Sequence, residues 1–205
     1  YAQSGTDALI KAYRLAVQAL LIVALPVAVL FSFAATPLIR VLGGSAYLPD
    51  SATVLSIMIW SIPIGFVNSV TQYVLIATNR QRFLTKAFAF GVTLTSIANL
   101  VFIPRYGYLA AAIILIPAEL TLFVPFAWAV HRYVAPIPWL DLCGRPILAT
   151  LANAAAIWVL NRAGIPLFLS LSAGFLVYVG LLLLLGTFRS NDFAVLKTRF
   201  PRLRL

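Results

Sequence analysis

Long apolar runs, separated by short polar or turn-forming segments, make up most of the chain. A helix needs about 20 apolar residues to cross the hydrocarbon core of a bilayer, and most of these runs reach that length. The pattern therefore predicts an all-α, polytopic membrane protein. Its six predicted spans cover residues 15–42, 51–77, 84–103, 107–130, 145–162 and 165–187.

The fifth run is the shortest of the six. Only residues 146–161 separate Arg145 from Arg162, and at about 1.5 Å per residue this stretch is shorter than the hydrocarbon core. A helix that begins earlier, at Leu140, would be long enough, as would arginine side chains that extend toward the headgroups. Either explanation keeps this run as a span.

Composition excludes a water-soluble protein. Hydrophobic residues make up 62% of the chain and charged residues 10%, and the mean hydropathy is +1.01. Soluble domains carry about 25% charged residues, so too few are present here to form a polar surface. The net charge of +10 does not indicate nucleic-acid binding, because the cations are scattered singly between apolar runs.

The basic residues predict the orientation of the spans, because cytoplasmic loops of membrane proteins collect lysine and arginine. With the N-terminus inside, 12 of the 15 basic residues lie on the cytoplasmic side, and Arg40, Arg105 and Arg162 lie outside. Both termini are then cytoplasmic, with residues 1–14 as a flank and 188–205 as a basic tail. The chain begins with tyrosine and has no signal segment, which predicts a fragment whose N-terminal portion is missing.

Polar residues in the second and third predicted spans fall on single helical faces. In the second span, positions i, i+4, i+7 and i+11 are Ser61, Gly65, Asn68 and Gln72. In the third span, the residues on one side are Gly91, Thr95, Ser96 and Asn99. Such stripes avoid lipid, so they line a hydrophilic cavity or form hydrogen bonds between helices, and the sequence favours neither alternative.

Glu119 is the one acidic residue deep within a predicted span. An ionised carboxylate is costly there, so the group must be protonated, paired or exposed to water, and each state fits a transporter that responds to protons or sodium. The alternative is a local structural role, in which Glu119 hydrogen-bonds a backbone carbonyl left free by Pro117 or Pro125.

Signals for catalysis are weak. The single histidine, His131, lies at a predicted helix end, and the chain shows no paired carboxylates, no His/Cys spacing suited to a metal and no glycine-rich phosphate loop. The sequence therefore predicts neither an enzyme nor a bound metal or cofactor.

Three segments carry motifs of a transporter family. They are PLIRVLGGSAYLPDSATVL at 37–55, LIATNRQRFLTKAFAFG at 75–91 and NLVFIPRYGYLAAAIILIPAEL at 99–120. Within them, the matching residues are Gly44 and Tyr47, the turn from Asn79 to Arg82, Ile103, Pro104 and Gly107, and the acidic position Glu119. The segments resemble the C-terminal half of polysaccharide flippases of the O-antigen type, in the multidrug/oligosaccharidyl-lipid/polysaccharide exporter superfamily.

The resemblance implies the C-terminal lobe of a larger transporter of about 14 helices, with the missing N-terminal lobe as an essential partner. Such flippases move an undecaprenyl-pyrophosphate-linked oligosaccharide across the bacterial cytoplasmic membrane by alternating access. They are often driven by an ion gradient, which makes H⁺ or Na⁺ a candidate partner beside the membrane lipids.

On this resemblance we predict part of a lipid-linked oligosaccharide flippase for polysaccharide biosynthesis. The residues predicted to line its substrate cavity are Asn68, Gln72, Asn99 and Glu119. Two alternatives stay open. One is an ion-coupled multidrug antiporter of the same superfamily, with Glu119 as the coupling carboxylate. The other is a non-transporting membrane subunit of a polysaccharide-synthesis complex.

Overall fold

The computed structural model describes residues 2–187, and the predicted basic tail at 188–205 lies outside the described residues. The described part of the chain forms helices joined by short turns and contains no strand, which confirms the predicted all-α class. The helices are α1 Ala2–Leu42, α2 Asp50–Met58, α3 Ser61–Ala77, α4 Gln81–Tyr106, α5 Tyr108–Tyr133, α6 Trp139–Arg162 and α7 Leu167–Leu184, with a short 3-10 helix at Ser45–Tyr47.

Within residues 2–187, six helical segments are long and apolar enough to cross a membrane. α2 and α3 together form one of the six, Asp50–Ala77, and each other span is a single helix. Large apolar side chains such as Val23, Leu100 and Leu176 are exposed on these helices, as expected where lipid is the solvent. The fold is that of a multi-pass membrane protein.

The second span is broken into α2 and α3 at Ile59 and Trp60. Pro63 has no backbone N–H, so it cannot donate to the carbonyl of Ile59, which lies four residues earlier. The N–H of Ile62 donates to that carbonyl instead, at 3.2 Å, and tightens the turn. The proline thus interrupts what the hydropathy pattern presents as one continuous run.

Two tight turns place the ends of α3, α4 and α5. Asn79, between α3 and α4, has a left-handed φ of 59°, a conformation that asparagine tolerates better than most residues. Gly107 has a φ of 62° and is the single residue between α4 and α5. These turns make α4 an antiparallel neighbour of α5 and bring the start of α4 to the same end of the bundle as the end of α5.

The chain divides into two compact units, residues 1–142 and 143–205. In the first unit, α3 and α4 both pack against α5, and α1 packs against α2 and α3. Apolar side chains fill the core of this unit, among them Val17, Ala28, Leu75 and Ala129, which are all buried. Because α3 packs against α5, polar side chains of α3 can form hydrogen bonds with residues of α5.

In the second unit, α6 and α7 approach closely at Gly174. A Cβ atom at this glycine would lie 2.7 Å from Asn153 Oδ1 and would also overlap Ile157 Cγ1. The absence of a side chain at Gly174 is therefore what allows the two helices to meet there. α6 begins at Trp139, and its 24 residues span about 36 Å, which is enough to cross the hydrocarbon core.

Candidate functional site

The polar stripe of α3 lies mostly inside the first unit. Ser61 and Asn68 are buried, and Gly65 and Gln72 are half-buried. Thr71, which follows Asn68 by three residues on the same helix, has only 1% of its surface exposed. The buried members of the stripe therefore lie among the helices that pack against α3, which are chiefly α1 and α5.

Asn68 joins α3 to α5 through its side-chain amide. Its Nδ2 group donates to the backbone carbonyl oxygen of Glu119 at 2.9 Å and to the carboxyl oxygen Oε2 of the same residue at 2.8 Å. Both donor–acceptor distances are those of well-formed hydrogen bonds, and the second is charge-assisted when the carboxyl group is ionised. One amide thus contacts both the backbone and the side chain of Glu119.

Gly65, which precedes Asn68 by three residues, leaves room for the carboxyl group. A Cβ atom at Gly65 would lie 3.4 Å from Glu119 Oε1 and 3.5 Å from Oε2. Both carboxyl oxygens therefore lie against the bare backbone of α3. Glu119 itself is half-buried, so its carboxyl group is neither sealed in the core nor fully exposed.

The side-chain carbonyl oxygen of Asn68 is buried and has no hydrogen-bond partner among the described residues. The Nδ2 group of the same amide is occupied by Glu119. A protonated carboxyl group is a hydrogen-bond donor, as is the hydroxyl group of a ligand, and either can use this spare acceptor. The pair can therefore form different hydrogen bonds in the ionised and protonated states of Glu119.

The contacts of Glu119 link two helices and do not brace α5 alone. The carbonyl groups that lose a helical donor belong to Ile113 and Thr121, four residues before Pro117 and Pro125. Among the described residues, the Glu119 carboxyl group hydrogen-bonds neither of them. The carboxyl group meets the Asn68 amide of α3. Within α5, it is Thr121 that donates to a backbone carbonyl, that of Pro117, at 2.8 Å.

The chemistry available at this site is hydrogen bonding and proton exchange. Among the described residues, no group of three or more His, Cys, Asp and Glu side chains is placed to hold a metal ion. On α3, the Glu119 carboxyl group hydrogen-bonds the Asn68 amide and lies against Gly65. Such a site can bind polar groups or exchange a proton without forming or breaking other bonds.

The first half of the chain, from α1 to most of α4, is similar to a known family. Residues 1–102 match the MatE family model. The match supports the multidrug/oligosaccharidyl-lipid/polysaccharide exporter superfamily, and it does not separate polysaccharide flippases from other members. MatE family members are transporters and not enzymes. No curated protein and no solved structure matches the chain.

The MatE match contains Asn68, Gln72 and Asn99 and ends before Glu119. Of these three residues, Asn68 is the one that hydrogen-bonds Glu119 in the described structure. Gln72 is half-buried one turn farther along α3, and Asn99 is half-buried on α4. The four predicted residues thus form one contacting pair and two separate positions.

A buried contact between Tyr13 and Thr71 lies beside the pair and is absent from the sequence-based prediction. The Tyr13 hydroxyl oxygen is 2.8 Å from Thr71 Oγ1, and Thr71 also donates to the Val67 carbonyl at 2.6 Å. Tyr13 belongs to the segment predicted as a flank, and only 2% of its surface is exposed. The available signal was the position of Thr71, which shares a helical face with Asn68.

Proposed function

We propose that the chain is part of a flippase that moves an undecaprenyl-pyrophosphate-linked oligosaccharide across the bacterial cytoplasmic membrane by alternating access. The observation that carries the proposal is the Asn68–Glu119 contact, which places a carboxyl group and an amide with a spare acceptor between two membrane-spanning helices. Sugar hydroxyls need such hydrogen-bonding partners. The MatE match supports the transporter class, and the distribution of basic residues supports cytoplasmic termini.

In this proposal, the Asn68–Glu119 contact is a tie between α3 and α5 whose strength depends on Glu119. The ionised carboxyl group accepts strongly from the Asn68 amide, and protonation or binding of a sugar hydroxyl weakens that bond. Interhelical hydrogen bonds in membranes contribute about 0.6 to 2 kcal/mol, which is enough to bias two helix arrangements of similar free energy. A proton or sodium gradient would then couple to transport at Glu119.

The remaining parts of the proposal follow from this tie. Gln72 and Asn99 would line the substrate cavity at a distance from the pair and contact further hydroxyl groups. The missing N-terminal lobe would form the opposite wall of the cavity, so that the lobes of a larger protein of about 14 helices rock around the lipid-linked sugar.

A cleft between α4 and α5 favours a second candidate, an ion-coupled multidrug antiporter. Its volume is about 560 Å³, and apart from Thr95, Tyr106 and Thr121 its lining side chains are apolar. An apolar drug would be well matched to such a lining, whereas a sugar would leave its hydroxyls unpaired. Glu119 would then carry the coupling ion.

Complementation tests the first proposal. The full-length gene that encodes this chain is expressed in a bacterial strain that lacks its polysaccharide flippase, and surface glycan is measured. We expect the wild-type gene to restore the glycan, and we expect Asn68→Ala and Glu119→Gln to reduce restoration at equal amounts of protein in the membrane. Asn68→Ala removes the donor of the α3–α5 tie, and Glu119→Gln removes the ionisable group while leaving an oxygen that can accept from Asn68.

Ser172→Ala is the matched control, because Ser172 is an exposed residue of α7 whose hydroxyl donates only to the Phe168 carbonyl of its own helix. It should restore glycan as the wild type does. If a well-expressed wild type fails in several glycan backgrounds and instead lowers susceptibility to drugs, the antiporter replaces the flippase. Equal activity of Glu119→Gln and wild type would remove Glu119 from either mechanism.

A further inference from the structure

A polar pocket lies at the turn between α3 and α4, away from the Asn68–Glu119 pair. Its volume is about 300 Å³. The residues that line it are Asn79, Arg80, Gln81, Arg82, Phe83 and Tyr133. The lining contains two guanidinium groups and two side-chain amides and no carboxylate, so the pocket offers hydrogen-bond donors with a net positive charge.

Aromatic contacts hold one of the two guanidinium groups in place. The Arg80 Cζ atom lies 4.1 Å from the centroid of the Tyr133 ring, which is close enough for a cation–π interaction. Tyr133 packs edge-to-face on Trp128 at 5.8 Å, and Trp128 packs on Phe83 at 5.9 Å. The Tyr133 ring therefore orients the exposed Arg80 side chain before any ligand arrives, which lowers the entropy cost of binding.

The position of the pocket along the helices indicates its ligand. α3 ends at Ala77 and α5 ends at Tyr133, so the pocket lies at the ends of two segments that are long and apolar enough to cross the hydrocarbon core. Lipid phosphates lie at this depth. Lys86 and Arg132 add positive charge nearby in the chain, and arginine binds phosphate through paired N–H donors.

We infer that this pocket binds the phosphate group of a lipid headgroup. Two lipids carry that chemistry at this depth: an anionic phospholipid of the bilayer and a polyprenyl pyrophosphate. The second source rests on the proposed function, because it would be the carrier of the transported sugar. Binding of a phospholipid stands independently of it.

The competing explanation is that the arginines only fix membrane topology, which depends on their charge. Two substitutions separate the explanations because they preserve net charge. Arg80→Lys keeps the positive charge but loses the planar fork of donors, and Tyr133→Leu removes the ring that holds the guanidinium group. If the arginines only fix topology, neither substitution should change phosphate binding. If the pocket binds phosphate, both substitutions should weaken that binding.

The experiment uses the purified whole chain with two probes. Retention of phosphatidylglycerol is measured by native mass spectrometry after transfer from vesicles of phosphatidylcholine and phosphatidylglycerol, and binding of farnesyl pyrophosphate is measured by calorimetric titration. We expect saturable binding of at least one probe, weakened about tenfold by Arg80→Lys and by Tyr133→Leu. The first variant loses the paired donors to the phosphate, and the second loses the ring that orients them. Far-UV circular dichroism establishes that each variant is folded.

Arg105→Lys is the matched control, because Arg105 is an exposed arginine at the opposite end of α4 and the substitution also preserves net charge. It should bind both probes as the wild type does. Binding of phosphatidylglycerol alone supports the inference with a phospholipid as the ligand, and binding of farnesyl pyrophosphate supports it with the carrier lipid. Absence of saturable binding, or equal weakening by Arg105→Lys, overturns it. Neither result bears on glycan export in cells, which tests the proposed function separately.

Discussion

Two buried asparagines, one in each compact unit, have opposite surroundings. Asn68 in the first unit is 5% exposed and donates twice to Glu119. Asn153 in the second unit is 0% exposed, and neither its Nδ2 nor its Oδ1 atom has a hydrogen-bond partner among the described residues. The first asparagine joins two helices by polar contact, and the second packs at a helix crossing beside Gly174.

The difference separates two ways of holding membrane helices together. Lipid supplies no hydrophobic drive between helices, so they associate through hydrogen bonds or through close packing at small residues. α3 and α5 use the Asn68–Glu119 hydrogen bonds, and α6 and α7 use the space at Gly174. Protonation of Glu119 can change the hydrogen bonds between α3 and α5, whereas the close packing at Gly174 contains no group that takes up a proton. We therefore expect transport to depend on the first contact and stability to depend most on the second.

Gly174→Ala is expected to have the largest effect on stability. The new Cβ atom would overlap Ile157 and lie 2.7 Å from Asn153 Oδ1, so α6 and α7 must separate or the two side chains must leave their rotamers. Overpacking of this kind costs about 1 to 3 kcal/mol in the free energy of unfolding. SDS titration of the whole chain in mixed micelles, followed by circular dichroism, measures the change.

Gly180→Ala is the control for this prediction. Gly180 lies on the same helix, and apart from its chain neighbours and the nearby backbone of that helix, no atom of residues 2–187 lies within 4 Å of where its Cβ atom would be. Alanine should therefore be neutral there or stabilising by up to about 1 kcal/mol, because it favours the helix. If the two glycine substitutions change the free energy of unfolding equally, close approach at Gly174 does not hold α6 to α7.

Asn68→Ala is expected to have a smaller effect, about 1 kcal/mol of destabilisation. The substitution removes both hydrogen bonds to Glu119 and leaves its carboxyl group without the amide donor. Glu119→Gln should cost less, since an amide oxygen can still accept from Asn68 and the backbone carbonyl is unchanged. The same SDS titration measures both variants and the double variant. Additive effects in the double variant would show that the two side chains do not interact.

The polar pattern predicts the members of the α3–α5 contact better than it predicts their pairing. Helical spacing places Asn68 on a stripe that avoids lipid, and depth in a span singles out Glu119. Periodicity along one helix fixes a face, but it does not tell which neighbouring helix packs on that face. The partnership of Asn68 with Glu119 depends on packing between residues 51 positions apart and so appears only in the structure.

Three further features cannot be predicted from the hydropathy pattern, each for a physical reason. The break between α2 and α3 follows from one missing N–H at Pro63, which leaves the apolar run uninterrupted. Tyr13 precedes the first apolar run between Lys11 and Arg14, so its neighbours indicate an exposed flank although the helix turns its ring inward. Asn153 lies in the fifth predicted span, and nothing in its local sequence distinguishes its surroundings from those of Asn68.

The smallest expected effect is that of Asn153→Leu, which tests whether the surroundings of the two asparagines differ. Leucine branches at the same carbon as asparagine, and it would remove two buried polar atoms that lack partners among the described residues. Exchanging an unpaired polar group for an apolar one is nearly neutral or stabilising, so we expect a change within about 0.5 kcal/mol in the SDS titration. Asn68→Leu, the same chemical change at a paired site, should destabilise by about 1 kcal/mol. Equal losses at the two positions would mean that Asn153 also has a polar partner. Helices within each unit would then be joined by the same kind of polar contact.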